Sequence, residues 1–306
     1  MRFRTTSIAA IAVLALSACT ERATTEASST TLQVATTSTT AAPPQVTDTP
    51  TPDKQEVVRA DGGVEGLEVL YIGHSFGRPF AKNLDTATGL AGIYGHEQHI
   101  IFSGGENGAP QAMWEKPEQQ ALIKEQLNSG TVDVVVMICC SKELLETGGQ
   151  SDQAVVDISR YALEQNPDTR IGLAMPWADY PDTYPSVDQH RARTDAGWLG
   201  YQVLADRLSS ELQTDVFAFY HGAATYEIRS MFEQGLLTDV TSLIGPRASS
   251  VFTDKKGHAG NIAKDTGTLI WLHAIYGVDP LDVAPIDRYE VDIRQIAAAV
   301  LETSSG

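Results

Sequence analysis

The chain has 306 residues, 42% hydrophobic and 20% charged, which supplies core material for one large domain or two small ones. Acidic residues outnumber basic ones 39 to 22, giving a formal net charge of -17. That balance argues against nucleic acid or an anionic membrane surface as an electrostatic partner.

Arg2 and Arg4 precede the apolar stretch SIAAIAVLALSA, which is too short to span a membrane as a mature helix. It ends in Leu16-Ser17-Ala18-Cys19, which resembles the bacterial lipobox. On that resemblance residues 1–18 form a lipoprotein signal peptide, and Cys19 becomes a lipidated N-terminus outside the cytoplasm. A plain secretory signal with an incidental Cys19 is the alternative. Residues 19–63 are dominated by Thr, Ser, Ala and Pro and cannot bury enough apolar surface to fold. About forty such residues make a coil reaching roughly 35 Å, a tether between lipid and domain.

Residues 64–306 alternate strand and helix patterns and read as one domain. Strands are predicted at 67–73, 97–103, 132–139, 170–177 and 215–221. Between them lie helical patterns at 78–93, at 109–128 with a break at Pro117, at 151–166, and over a long stretch from 187 to 212. Further helices are expected around 223–235, at 258–277, and in the tail. The fold class is therefore α/β, a three-layer α/β/α arrangement around a mostly parallel five-stranded sheet of flavodoxin-like type. Cys139 and Cys140 are adjacent and cannot build a disulfide framework; they read as small apolar residues at a strand end.

GHSFG, residues 73–77, satisfies the G-x-S-x-G pattern of a nucleophile elbow directly after the first strand. An α/β-hydrolase, however, places that elbow after several strands, and nothing upstream of 64 has room for them. A serine after strand one, with an acid and a histidine together near the C-terminus, instead resembles the SGNH/GDSL hydrolase superfamily. YIGHSF stands in the place of that family's first block, the glycine-rich FSGGENGAP in that of the second, and SVFTDKKGHAG in that of the last. The resemblance covers roughly residues 67–277. It implies Ser75 as nucleophile, His258 as base and Asp254 as its orienting acid. An oxyanion hole is implied at the Ser75 N–H and the turn containing Gly105, Asn107 and Gly108. The departures are His74 where the family has Asp or Asn, an extra residue between Asp254 and His258, and no Gly-x-Asn-Asp in MICCSKEL. Asn107 is the candidate to supply the missing amide.

The chemistry agrees with these roles. A serine hydroxyl needs an adjacent base, and a helix start favours developing negative charge. His258 is expected to open the last helix, where the positive dipole end keeps the imidazole neutral. Taken alone, Ser75 reads first as a helix N-cap, and it is the match at both ends of the chain that favours catalysis. His74, Trp114 and Trp177, with Tyr180, are candidates for contact with a sugar or acyl group. His96 and His99, with His74 and His221, make a metal site the third alternative, although a strand at 97–103 sends 96 and 99 to opposite faces. His190, Arg191 and Arg193 read as a solvated helix face. The expected function is a tethered serine esterase acting on a small-molecule or glycan ester without cofactor or metal. The alternative is a non-catalytic binding lipoprotein on the same fold.

Overall fold

The computed structural model describes residues 64–138 and 153–304. The signal peptide, the tether, Cys19, Cys139, Cys140 and most of the MICCSKEL stretch lie outside the described residues.

Five strands form one parallel sheet: β1 (Glu68–Gly73), β2 (Glu97–Phe102), β3 (Val134–Met137), β4 (Arg170–Ala174) and β5 (Val216–Phe219), in the order β2-β1-β3-β4-β5. Val69, Leu70, Tyr71 and Ile72 of β1 and all of β3 are fully buried, so both faces of the sheet centre are covered. This is why these strands read as unbroken apolar runs and not as alternating ones.

One helical group comprises α1 (Arg78–Leu90), α6 (His221–Glu233), α7 (Asn261–Tyr276) and α8 (Ile293–Ser304). The other comprises α2 (Pro110–Trp114), α3 (Pro117–Leu127), α4 (Gln153–Gln165) and α5 (Val187–Leu212). In α1 the buried Phe80, Ala81, Leu84 and Ala87 recur at helical spacing and meet α7. α7 is buried nearly all round, with Trp271 among the largest fully buried side chains. The break predicted at Pro117 separates α2 from α3.

Three expectations change. α7 begins at Asn261, so His258 sits on the loop before it and not in its first turn. A second, two-stranded parallel sheet, β6 (Ser242–Ile244) with β7 (Ser250–Phe252), was not predicted. Three-residue strands offer too little period to read. His190 belongs to no solvated face: it is fully buried, and its Nε2–H donates to the Ala178 carbonyl at 2.8 Å.

The chain leaves β1 for β2 on one side and then returns to β3 on the other. The strand order therefore reverses at β1, the point at which open α/β sheets leave a crevice at the carboxyl ends of their strands. Ser75 follows β1 at this edge.

Candidate active site

The turn carrying Ser75 is fixed through one carbonyl. The His74 oxygen accepts from the Tyr71 hydroxyl at 2.6 Å and from the N–H groups of Gly77 and Arg78, each at 3.2 Å. Burial pushes the Tyr71 phenol well above its usual pKa, so it stays a donor. Gly77, not Ser75, is the N-cap of α1, which leaves the serine side chain free for another partner. Among the described non-glycine residues only Tyr180 and Gln213 have positive φ, so Ser75 is not on the strained elbow that its motif imitates.

The partner is His258. Its Nε2 lies 2.8 Å from Ser75 Oγ, and its Nδ1 lies 2.6 Å from Asp254 Oδ2. With the Nδ1 proton donated to the carboxylate, the Nε2 lone pair faces the serine hydroxyl. The other Asp254 oxygen accepts from the N–H groups of Gly257 at 3.0 Å and His258 at 3.3 Å. Burial acts to raise the Asp254 pKa, but the hydrogen bonds from the His258 ring and N–H outweigh it and hold the carboxyl below its ordinary value.

The extra residue of Asp-x-x-x-His is absorbed by a tight turn. Gly257 N–H donates to the Asp254 carbonyl, and Gly257 has φ +100, a conformation costly for any residue with a Cβ. The Thr253 N–H to His258 carbonyl bond at 2.7 Å and an antiparallel bridge between Phe252 and Ala259 close the loop.

An aromatic support holds the two halves together. Buried Phe76 stacks on Trp177 with centroids 4.6 Å apart and meets the His258 ring edge-on at 5.4 Å. The Trp177 indole N–H donates to the Gly257 carbonyl at 2.9 Å. Trp177 is only 3% exposed, so it props the loop from below and is not the substrate-facing wall the sequence predicts. The Phe76 carbonyl accepts from His221 Nε2–H at 3.2 Å, and burial pulls this fully enclosed histidine down to about 3, leaving it neutral.

His74 stands beside the serine. Its Nδ1 accepts the Phe76 N–H at 3.3 Å, which places the ring proton on Nε2. Burial lowers its pKa to about 4, the nearby Asp179 opposing and Lys256 and His258 reinforcing the shift. The 3-10 turn Gly105–Gly108 packs directly on it. A Cβ on Gly108 would stand 2.4 Å from the Ser103 carbonyl oxygen and 2.6 Å from His74 Cβ, so only glycine permits this approach. Gly105 and Asn107 are exposed on the same turn, and Asn107 Oδ1 accepts from Lys116 at 2.7 Å. Trp114, on α2, meets the Tyr161 ring of α4 at 6.3 Å, with the Lys124 ammonium of α3 over its own ring.

His96 and His99 bond to partners of their own, away from His74 and His221. His96 bonds to the Tyr276 hydroxyl at 2.7 Å, and His99 pairs with Glu68 at 3.1 Å. Glu68, Glu97 and His99 form a possible three-donor cation group. It sits at or near the start of β1 and β2, about 20 Å from the strand ends where Ser75 lies, given the ~3.3 Å rise per strand residue.

Sequence reasoning missed Asp179, Lys256 and Arg229. Lys256 pairs with Asp179 directly beside the His258 turn. Arg229, 1% exposed on α6, donates to the carbonyls of Pro181 and Tyr184, each at 2.8 Å, and to Glu233. Spacing marks only the i,i+4 pair of Arg229 with Glu233; the Asp179–Lys256 pair and the carbonyls that Arg229 holds lie on segments far apart in sequence.

No protein-family profile matches the sequence, and no curated protein does. The structure is similar to a DUF4886 family protein from Bacteroides uniformis (12% identity, 79% of this chain and 96% of that one, TM-score 0.49). It is also similar to a protein described as an SGNH hydrolase from Slackia heliotrinireducens (14% identity, 69% and 99%, TM-score 0.43). A third likeness is to a protein described as a GDSL-like lipase from Parabacteroides merdae (14% identity, 70% and 96%, TM-score 0.41). These are likenesses of backbone arrangement.

Proposed function

We propose that this chain is a serine hydrolase of SGNH type that cleaves carboxylic esters through Ser75, His258 and Asp254. The observation that supports it is the continuous hydrogen-bond chain from Asp254 through His258 to Ser75 at the strand-order reversal.

In this reading Ser75 Oγ attacks the ester carbonyl carbon while His258 Nε2 takes the hydroxyl proton. The carbonyl oxygen becomes an oxyanion received by the Ser75 N–H and by the turn at Gly105–Gly108, with the His74 Nε2–H as a neutral donor beside them. The tetrahedral adduct collapses, the C–O bond to the leaving alcohol breaks, and His258 returns the proton to that oxygen. Water then attacks the acyl-serine, again deprotonated by His258, releasing the acid and restoring Ser75. Asp254 holds the tautomer and stabilises the imidazolium throughout. The proposal includes location: residues 1–18 are removed, Cys19 is lipidated, and residues 19–63 tether the domain to a membrane outside the cytoplasm. A small-molecule or glycan ester suits a chain whose charge disfavours polyanions.

A fluorophosphonate tests the chemistry. The expected result is an adduct located on Ser75 by mass spectrometry and lost in Ser75→Ala. A folded, enzymatically silent and unlabelled domain overturns it. That outcome favours the binding-lipoprotein reading, which the lack of a Gly-x-Asn in MICCSKEL supports.

A further inference from the structure

Tyr180 is the most unusual residue of the crevice rim. It has φ 56 and ψ 58, in the left-handed region where a bulky side chain is a genuine outlier. The loop holding it there is secured from every side. The Tyr180 N–H donates to the Lys256 carbonyl at 3.1 Å, and its own carbonyl accepts from the Thr183 N–H at 3.0 Å and hydroxyl at 2.7 Å. Pro181 follows, and the buried Arg229 guanidinium grips the Pro181 and Tyr184 carbonyls. The residues before Tyr180 are tied inward: Trp177 to Gly257, and Ala178 to both His190 and the Tyr226 hydroxyl. Tyr180 is turned outward, half exposed at 50%.

Its surroundings have a definite chemistry. The Lys256 ammonium lies 5.3 Å from the Tyr180 ring centroid and pairs with Asp179, and Lys256 is two residues from His258. With the ammonium over one ring face, the half-exposed tyrosine offers its remaining aromatic surface beside one donor and one acceptor. Because the ammonium is already matched by a carboxylate, it presents no net charge. That combination fits a neutral hydroxylated ring, whose C–H face stacks on the aromatic while hydroxyls meet the polar pair.

We propose that Tyr180, with Lys256 and Asp179, is a binding platform for a pyranose ring, so that the ester presented to Ser75 is an O-acyl group on a neutral carbohydrate. This rests on the serine-hydrolase reading for its chemistry, but not for its test. Binding of a mono-acetylated methyl pyranoside is measured by calorimetry on Ser75→Ala and on Ser75→Ala carrying Tyr180→Gly or Tyr180→Trp. Tyr180→Gly relieves the left-handed strain, so a thermal midpoint at or above that of its parent verifies folding. The expected result is about 10-fold weaker binding with Gly and affinity kept within about 2-fold with Trp, the size of one aromatic contact. No binding by the parent, or equal binding by the Gly variant, overturns the proposal. Fluorophosphonate labelling of Ser75 is independent of Tyr180. Tyr180-dependent sugar binding without labelling therefore upholds the platform while the serine reading fails, and labelling without sugar binding does the reverse.

Discussion

Replacing Asp254 by Asn separates what its charge does from what its geometry does. Asp254 Oδ1 accepts two backbone N–H groups, from Gly257 and His258, while Oδ2 meets His258 Nδ1. An asparagine has one oxygen for these two places. Keeping it on the backbone retains two hydrogen bonds worth about 1 kcal/mol each, whereas turning it to the ring retains one and points an NH2 at two donors. The backbone orientation wins, so the amide donates to Nδ1 and forces the histidine proton onto Nε2. His258 then faces Ser75 with a proton where it needs a lone pair. A wrong tautomer of this kind lowers kcat by about 10^3–10^4-fold, roughly 4–5.5 kcal/mol. Charge alone predicts far less: the Asp254 side chain is 47% exposed, and at high dielectric an ion pair is worth about 1 kcal/mol. Asp254→Ala leaves the ring free to choose its tautomer, so it should stay more active than Asp254→Asn. The assay is kcat for p-nitrophenyl acetate, with urea unfolding to verify that each variant is folded. An Asn variant within about 10-fold of the parent, or an Ala variant worse than the Asn variant, refutes the tautomer argument.

Acid should destabilise the domain earlier than carboxylate titration does. Burial pulls His74 and His190 to about 4 and His221 to about 3, while an unfolded histidine titrates near 6.5. Their contribution is thus fully present above about pH 6.5 and is lost as the pH falls towards 4, because the unfolded chain binds protons that the folded one refuses. Each adds a slope of about 1.4 kcal/mol per pH unit in that window; urea midpoints unchanged between pH 7.5 and 5 would sink this account. Asp254, its pKa held low, loses its contribution only below the ordinary carboxylate range. Arg229→Met strands the Pro181 and Tyr184 carbonyls and frees the Tyr180 loop. The expected loss is about 3 kcal/mol, or about 10 °C in thermal midpoint, and a change under 1 kcal/mol contradicts the role given to Arg229.

The order of the site was legible because it is local. An apolar run followed by a small polar turn and a helix placed Ser75 at the end of β1, and the TDKKGH segment brought Asp254 and His258 together at the approach to the last helix. The sequence misplaced what depends on depth. Trp177 and His190 were read as surface residues because an aromatic after a strand and a histidine among arginines look alike whether buried or exposed. The helix-dipole argument for His258 failed by three residues, a small error in a boundary that removed its physical basis.

By itself the sequence determined the alternation of strand and helix, the parallel sheet that alternation demands, and the residue types brought to its carboxyl edge. Only the tertiary structure decided that His258 Nε2 meets Ser75 Oγ across 183 positions of chain. It also decided that a turn at Gly257 absorbs the extra residue, and that a buried arginine holds Tyr180 outward. Periodicity reports which face of an element is apolar. It carries no information on which distant segment will press against that face, and the contacts that join the Ser75 turn to the His258 loop are of that second kind.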